Sequence, residues 1–235
     1  VSASTAPATV PLSLWRTTIG GRLTAPVIAN VRAYVAARDA HIVAALDAAT
    51  GATLWSQAVN GRVDTPPTIY NGLCLFGTHN GWVYCLRADD GRLLWRFRAA
   101  PSERRIVVDE QVESAAPING SILVQDGIAF VTAGKGPVID GGNRVFALVP
   151  ETGAVLWEKS INGKALNDVL TCYNGKIYMS YHEIDPATGN NAPSYDYLEE
   201  LRTITNEWKD RTPFKLFLLA GTGGRGAGFL DDSWL

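Results

Sequence analysis

Over roughly its first 160 positions this 235-residue chain sets its apolar residues in short blocks broken by Gly, Asn and Asp. No block sustains a helical period, and the blocks are of strand length. The stretch from Leu54 to Trp95 shows the plan. Leu54–Val59, Thr68–Tyr70, Leu73–Gly77 and Trp82–Leu86 read as four strands, the first followed by the loop Asn60–Pro66. Asn71-Gly72 and Thr78–Gly81 read as the turns between the later three, because an Asn-Gly step supplies the positive φ angles that a tight hairpin needs. Asp90-Gly91 then turns the chain into another Leu-Trp strand.

The pattern repeats. Leu14-Trp15, Leu54-Trp55 and Leu94-Trp95 recur at intervals of 40 residues. Between these marks Gly21-Arg22 aligns with Gly61-Arg62, Pro26 with Pro66, Val43 with Val83, Leu46 with Leu86 and Gly51 with Gly91. A further copy closes at Leu156-Trp157. A period of about 40 residues made of short strands is the mark of a propeller blade. The expected fold is therefore all-β: a partial β-propeller of about four four-stranded antiparallel blades. Their approximate spans are 15–54, 55–94, 95–156 and an interrupted 157–235, after an Ala/Ser/Thr/Pro-rich linker over 1–11. That linker lacks the basic start and apolar stretch of a signal peptide, so any export signal is expected to be removed or upstream. Propellers close with about four to eight blades, so these are expected to belong to a longer polypeptide, complementation by another chain being the less favoured option.

Ala45, Asp47, Thr50, Gly51 and Trp55 stand in the spacing AxDxxTGxxxW. This segment resembles the repeat of the pyrroloquinoline-quinone (PQQ) type propeller family. Cys85–Trp95 keeps Gly91 and Trp95 but has Arg87 in the Asp place. Ala147–Trp157 keeps Ala147, Thr152, Gly153 and Trp157 with Val149 there, and Ile184–Gly189 looks like a fourth start. Arg96–Val124 and Gly228–Trp234 further resemble large bacterial propellers of the PQQ-binding-like group. The resemblance runs from about Trp15 to Gly189. It implies that Thr-Gly makes a turn and that each Trp packs between neighbouring blades, giving structural roles to Trp15, Gly51, Trp55, Gly91, Trp95, Gly153 and Trp157. It is specific for fold and not for chemistry.

Two stretches depart from the period. Trp157 follows Trp95 at an interval of 62 residues, 22 more than the repeat, mostly in Ala99–Ala116. In Asn190–Phe214, Tyr197–Trp208 has a weak helical period, with Leu198, Leu201, Ile204 and Trp208 on one face, and is expected to form a short helix projecting from the rim. Loops held on a rigid scaffold are the usual seat of binding. By that logic Arg22, Asp39, Arg62, Asp64 and His79 share one face with Arg104, Arg105 and Glu113 of the insertion. Such a rim suits a peptide, a sugar or an anionic ligand. The plainer reading is a solvated loop whose surface ion pairs contribute little.

Charge removes some classes. The formal net charge is −2 and the Lys and Arg residues are scattered, so neither nucleic acid nor a membrane surface is expected as partner. No apolar run approaches the ~20 residues of a transmembrane helix. Cys74, Cys85 and Cys172 match no redox or zinc spacing and read as buried small apolar residues. His41, His79 and His182 lack metal-ligand spacing, and no catalytic constellation stands out. Gly221–Gly226 matches GxGxxG, but a dinucleotide site also needs a following helix and an acidic residue about 20 positions on. A quinoprotein dehydrogenase, the alternative enzyme, needs PQQ with calcium, a carboxylate base and a sandwich of Trp and vicinal disulfide. The chain has no adjacent cysteines. The expectation is a non-catalytic propeller without cofactor, binding protein or glycan, or further blades of the same propeller, at the periplasm or cell envelope of a bacterium.

Overall fold

The computed structural model describes residues 15–108, 110–135, 142–161, 170–179, 182–193, 214–217 and 228–231. Four antiparallel sheets of four strands follow one another along the chain. The first holds β1 (Val27–Ala29), β2 (Arg32–Ala37), β3 (Ile42–Asp47) and β4 (Thr53–Ala58). The second holds β5 (Thr68–Tyr70), β6 (Leu73–Gly77), β7 (Trp82–Arg87) and β8 (Leu93–Arg98). A separate hairpin, β9 (Arg105–Val108) and β10 (Gln111–Ser114), precedes the third sheet: β11 (Leu123–Gln125), β12 (Ile128–Ala133), β13 (Asn143–Leu148) and β14 (Val155–Ile161). The fourth comprises β15 (Leu170–Tyr173), β16 (Lys176–Met179), β17 (His182–Ile184) and β18 (Asn191–Pro193), and a last pair joins β19 (Phe214–Phe217) to β20 (Gly228–Asp231).

Within each of the four sheets the strands pair in chain order. The short first strands meet one another in sequence, β1 against β5, β5 against β11 and β11 against β15, which is the inner ring of a propeller. The fold is the all-β propeller that the repeat predicts. The period and the hydrogen-bonded sheet are nonetheless out of phase. Counting blades from each Trp makes the Trp strand open a unit, whereas Trp55, Trp95 and Trp157 lie in the fourth, outermost strand of their sheets. The tight Asp-Gly turn keeps that strand beside the one before it, and the longer loop after it carries the chain back to a new inner strand. No helix occurs among the described residues. The helical expectation for Tyr197–Trp208 and the glycine-rich 221–226 both fall outside them.

Side chains of facing sheets fill three seams. Tyr34, Val43 and Ala45 meet Phe76, Tyr84 and Leu86 between the first two sheets. Leu75, Val83 and Cys85 meet Val131, Phe146 and Leu148 across the next, and Phe130, Val145 and Ala147 meet Ile177, Met179 and Ile184 across the third. This is what alternation delivers when both faces of a sheet are covered.

Each seam is pinned by a tryptophan. The indole Nε1 of Trp15 donates to Ala48 O (3.0 Å), Trp55 to Ala88 O (2.8 Å), Trp95 to Pro150 O (2.9 Å) and Trp157 to Pro186 O (2.8 Å). Gly51, Gly91, Gly153 and Gly189 sit on the respective rings with φ between +70° and +75°. In the first and fourth of these turns the Asp carboxylate caps the bend: Asp47 Oδ1 accepts from Ala49 N, Thr50 N and Thr50 Oγ1, and Asp185 Oδ1 from Ala187 N, Thr188 N and Thr188 Oγ1. Where Arg87 replaces the Asp, its Nε instead donates 2.8 Å to Asp90 Oδ1, which also caps Arg92 N. Leu54, Leu94 and Leu156 are the extra residues of a bulge repeated at one register in the outer strands β4, β8 and β14, Ala45 pairing with Trp55 and Leu46 with Thr53 in the first. Such a bulge re-aims the neighbouring side chain.

Candidate functional site

The insertion after β8 is itself a β-hairpin and not a solvated loop. β9 reads Arg-Ile-Val-Val and β10 Gln-Val-Glu-Ser, alternating about a tight turn at Glu110, whose φ is +63°. Its base is built into the second blade. Ser114 N donates to His79 O (2.9 Å), Ala99 N to Gly81 O (2.9 Å) and Ile118 N to Thr78 O (3.2 Å). His79 N in turn donates to Arg62 O (2.9 Å), so the β6–β7 turn bonds both the incoming loop and the hairpin.

Above this backbone lies a chain of ion pairs drawn from five parts of the sequence. Asp64 accepts from Arg62 Nε (2.5 Å) and Arg38 Nε (3.1 Å), with Arg38 Nη2 3.1 Å from its other oxygen. His79 Nε2 stands 3.3 Å from Asp64 Oδ2, and Nδ1 is 2.6 Å from Glu113 Oε2. Lys135 closes the far side of Glu113. Glu113 is only 3% exposed, and Arg62 and His79 are also buried. Burial pushes the Asp64 carboxyl upward, but the bonds from His79, Arg38 and Arg62 outweigh it and hold Asp64 well below the usual carboxylate range.

Of the eight candidates read from sequence, Arg62, Asp64, His79 and Glu113 therefore converge. Arg22 and Asp39 form a separate bidentate pair at 2.9 and 3.1 Å on the exposed rim, and Asp39 borders the same cleft as His79. That cleft, of about 250 Å³, is bounded by His41, Arg62 and His79 on the blades and by Gln111, Val112 and Glu113 on the hairpin. Arg104 and Arg105 are exposed and line a second recess beside Trp82 and Arg98. Sequence reasoning missed Arg38 and Lys135, which no spacing rule links to Asp64 or Glu113. It also missed Trp82, which carries the Arg96 guanidinium 4.7 Å and the Arg98 guanidinium 5.8 Å from its ring centre. The hairpin was missed as well, although the alternation of Arg105–Val108 and Gln111–Ser114 is a signal that could have found it.

A family model described as outer membrane protein assembly factor BamB matches residues 12–164 and again 79–205. The chain belongs to the BamB family. Within that family it is 30% identical over 153 residues to BamB of Burkholderia pseudomallei, covering 63% of this chain and 35% of that protein. The crystal structure of BamB from Moraxella catarrhalis superposes with a TM-score of 0.58 at 20% identity, over 76% of this chain and 51% of that one. The quinohemoprotein alcohol dehydrogenase of Comamonas testosteroni shares the fold, with a TM-score of 0.60 at 16% identity over 72% of this chain and 34% of that one. The BamB relative from Burkholderia is thus matched over about a third of its length.

The dehydrogenase likeness raises the question of PQQ. The described residues do not fit it. Trp15, Trp55, Trp95 and Trp157 are committed to the turns of neighbouring blades, and Trp82 lies under two guanidiniums. Cys74 and Cys85 are buried free thiols in separate strands; burial pushes both up, Cys85 to about 12, so neither is a ready thiolate. Among the described residues no cluster of His, Cys, Asp or Glu is arranged to hold a metal ion.

Proposed function

We propose that this BamB-family propeller is a non-catalytic, protein-binding scaffold of the bacterial cell envelope, and that hairpin β9–β10 is the element it offers to a partner protein. The observation that carries the reading is an anchored hairpin with an apolar tip. Val107 and Val112 pair across the two strands yet are 72% and 59% exposed, while the base is fixed by Glu113 and by backbone bonds to the β6–β7 turn. A rigidly held apolar tip costs little ordering entropy on docking, which is what an interface element requires. The neighbouring cleft supplies the polar surround. Relatives described as outer membrane protein assembly factors support an envelope role and a protein partner; a glycan has no such support.

The test places a photo-crosslinking residue at Val107 and, as control, at Arg144 in the exported protein. Crosslinking to the outer membrane protein assembly machinery is expected at Val107 and not at Arg144. The pair Val107→Asp with Val112→Asp should weaken that association at least about tenfold, the range of a lost interface anchor. Association unchanged by the double substitution would remove the hairpin from the interface. In the same preparation PQQ with calcium should leave the melting temperature unmoved, because a ligand at about 100 times its Kd stabilises by about 2.7 kcal/mol. A rise would overturn the non-catalytic reading.

A further inference from the structure

A hairpin presents main-chain groups along two outer edges, and in β9–β10 one of them is open. Ala115 N donates 2.9 Å to Arg104 O, which fixes the alternation of the pair. With Val112 opposite Val107 and Glu113 opposite Ile106, the residues Ile106 and Val108 exchange bonds with β10. Arg105 and Val107 turn their N–H and C=O groups outward instead. The same alternation turns Ser114 outward from β10, and there its N–H meets His79 O at 2.9 Å. The β10 edge is thus taken up at its base by the second blade. The β9 edge is not. Among the described residues the hairpin is a two-stranded sheet, and no main-chain bond reaches Arg105 or Val107 on that side. Both residues are exposed, Val107 at 72%.

We propose that the outer edge of β9 takes up an extended segment of a partner protein as a third strand, with an apolar side chain of that segment beside Val107. The proposal rests on the protein-binding reading of the hairpin above and names how the partner is held. Three observations select the occupant. Outward N–H and C=O groups on alternate residues, about 6.6 Å apart, are matched by an extended main chain. The blades, moreover, blunt their own outer edges in a way that β9 does not. β4, β8 and β14 each carry a bulge at one register, which twists an edge away from further pairing. β9 pairs in unbroken register, has no Pro, and is β-branched at Ile106, Val107 and Val108. A second copy of this chain, finally, fits the edge poorly. A two-fold pair through β9 would engage only the four residues of that strand on each side. Stable interfaces bury about 1,200 Å² or more and engage about 20 residues a side. A partner segment has no such limit, since the protein that carries it can also rest on the exposed Val107 and Val112. The fixed base of the hairpin holds the edge in strand conformation before anything docks, which lowers the ordering cost.

The test adds the octapeptide Ser-Thr-Val-Thr-Val-Thr-Val-Ser to the whole chain and follows amide hydrogen exchange by NMR. Saturating peptide should slow exchange at the Arg105 and Val107 amides at least about tenfold. The Val112 amide, on the other edge, should change less than about twofold. The same peptide N-methylated at every interior residue keeps its side chains and loses its donors. By anisotropy of a fluorescein label it should bind at least about tenfold more weakly. Val107→Pro removes the outward N–H and none of the bonds to β10, and should weaken binding by a similar factor. Val107→Thr keeps the N–H and the branched shape and should change binding less than about threefold. The exchange readout needs no variant, so it decides the matter even if the proline variant folds poorly. Unprotected Arg105 and Val107 amides at saturation, or equal binding of the N-methylated peptide, overturns the edge in favour of contact through the apolar face alone. Failure of the peptide to bind overturns it too. So does a concentration-dependent dimer that Val107→Pro dissolves, which would give the edge to a second copy. If the edge fails while Val107 crosslinking persists, the hairpin reading stands without it; if the crosslinking fails, the hairpin reading falls and takes the edge with it, even where the amides are protected.

Discussion

Each repeat tryptophan lies under the glycine of the following blade's turn, and that contact leaves no room for a side chain. A Cβ added at Gly91 would stand 2.7 Å from Cδ2 of Trp55, on a backbone whose φ is +73°. Gly72 has almost the same φ, +77°, but nothing within 4 Å of an added Cβ. The two positions separate backbone strain from crowding. Gly72→Ala is expected to cost about 1 kcal/mol from the left-handed backbone alone. Gly91→Ala adds overpacking against a ring held by the Nε1 bond to Ala88 O, for a total of about 3 kcal/mol. Chemical denaturation of the two variants beside the parent checks the difference. Equal losses would mean that the ring moves aside and that the indole is not a rigid part of the seam.

At the level of elements, the Asp64 chain ties the β2–β3 turn to the loop before β5, to the β6–β7 turn, to the hairpin and to the end of β12. Its pH dependence has a definite sign. Asp64 is held below its ordinary value in the folded protein, so the unfolded chain binds its proton first. The stabilisation is complete above the unfolded carboxylate pKa of about 3.9 and is lost as pH falls through the folded value. Asp64→Asn should therefore cost about 3 kcal/mol near pH 6, as for other buried ion pairs broken on one side, and the gap to the parent should narrow toward pH 2. Thermal melts across that range decide it; a gap independent of pH would make the loss one of packing. How much of this was readable beforehand follows from how it is built. Arg62, Asp64 and His79 sit at repeat-defined places, in the loop entering an inner strand and in the turn at the same end of the blade, so the period alone brings them to one rim. Arg38 and Lys135 also sit at that rim, but which cation faces which carboxylate is set by side-chain reach between blades. That reach leaves no trace in spacing.

For the molecule as a whole, the period reveals the blade but not its phase. Both phasings put apolar alternation and the Trp at the same sequence positions, and only hydrogen bonding across the Asp-Gly turn shows that Trp55 closes a sheet. The Trp82 stack was hidden for a related reason: it joins neighbouring strands whose charges look scattered in sequence, and only the register Trp82 opposite Arg98 brings them together. The seams set how damage should spread. Phe146 is buried between the second and third sheets, edge-on to Phe97 at a centroid distance of 5.2 Å, and Phe146→Ala should cost about 3–5 kcal/mol. Because sheets of this kind stack as quasi-repeats, each resting on its neighbours, the loss should grade outward from that seam. Hydrogen exchange is expected to quicken most in β7 and β13, which flank it, and less in β3, one blade removed. Equal acceleration in all three strands would show that the seams melt together, and the blades would then form one cooperative unit whose stability no single seam controls.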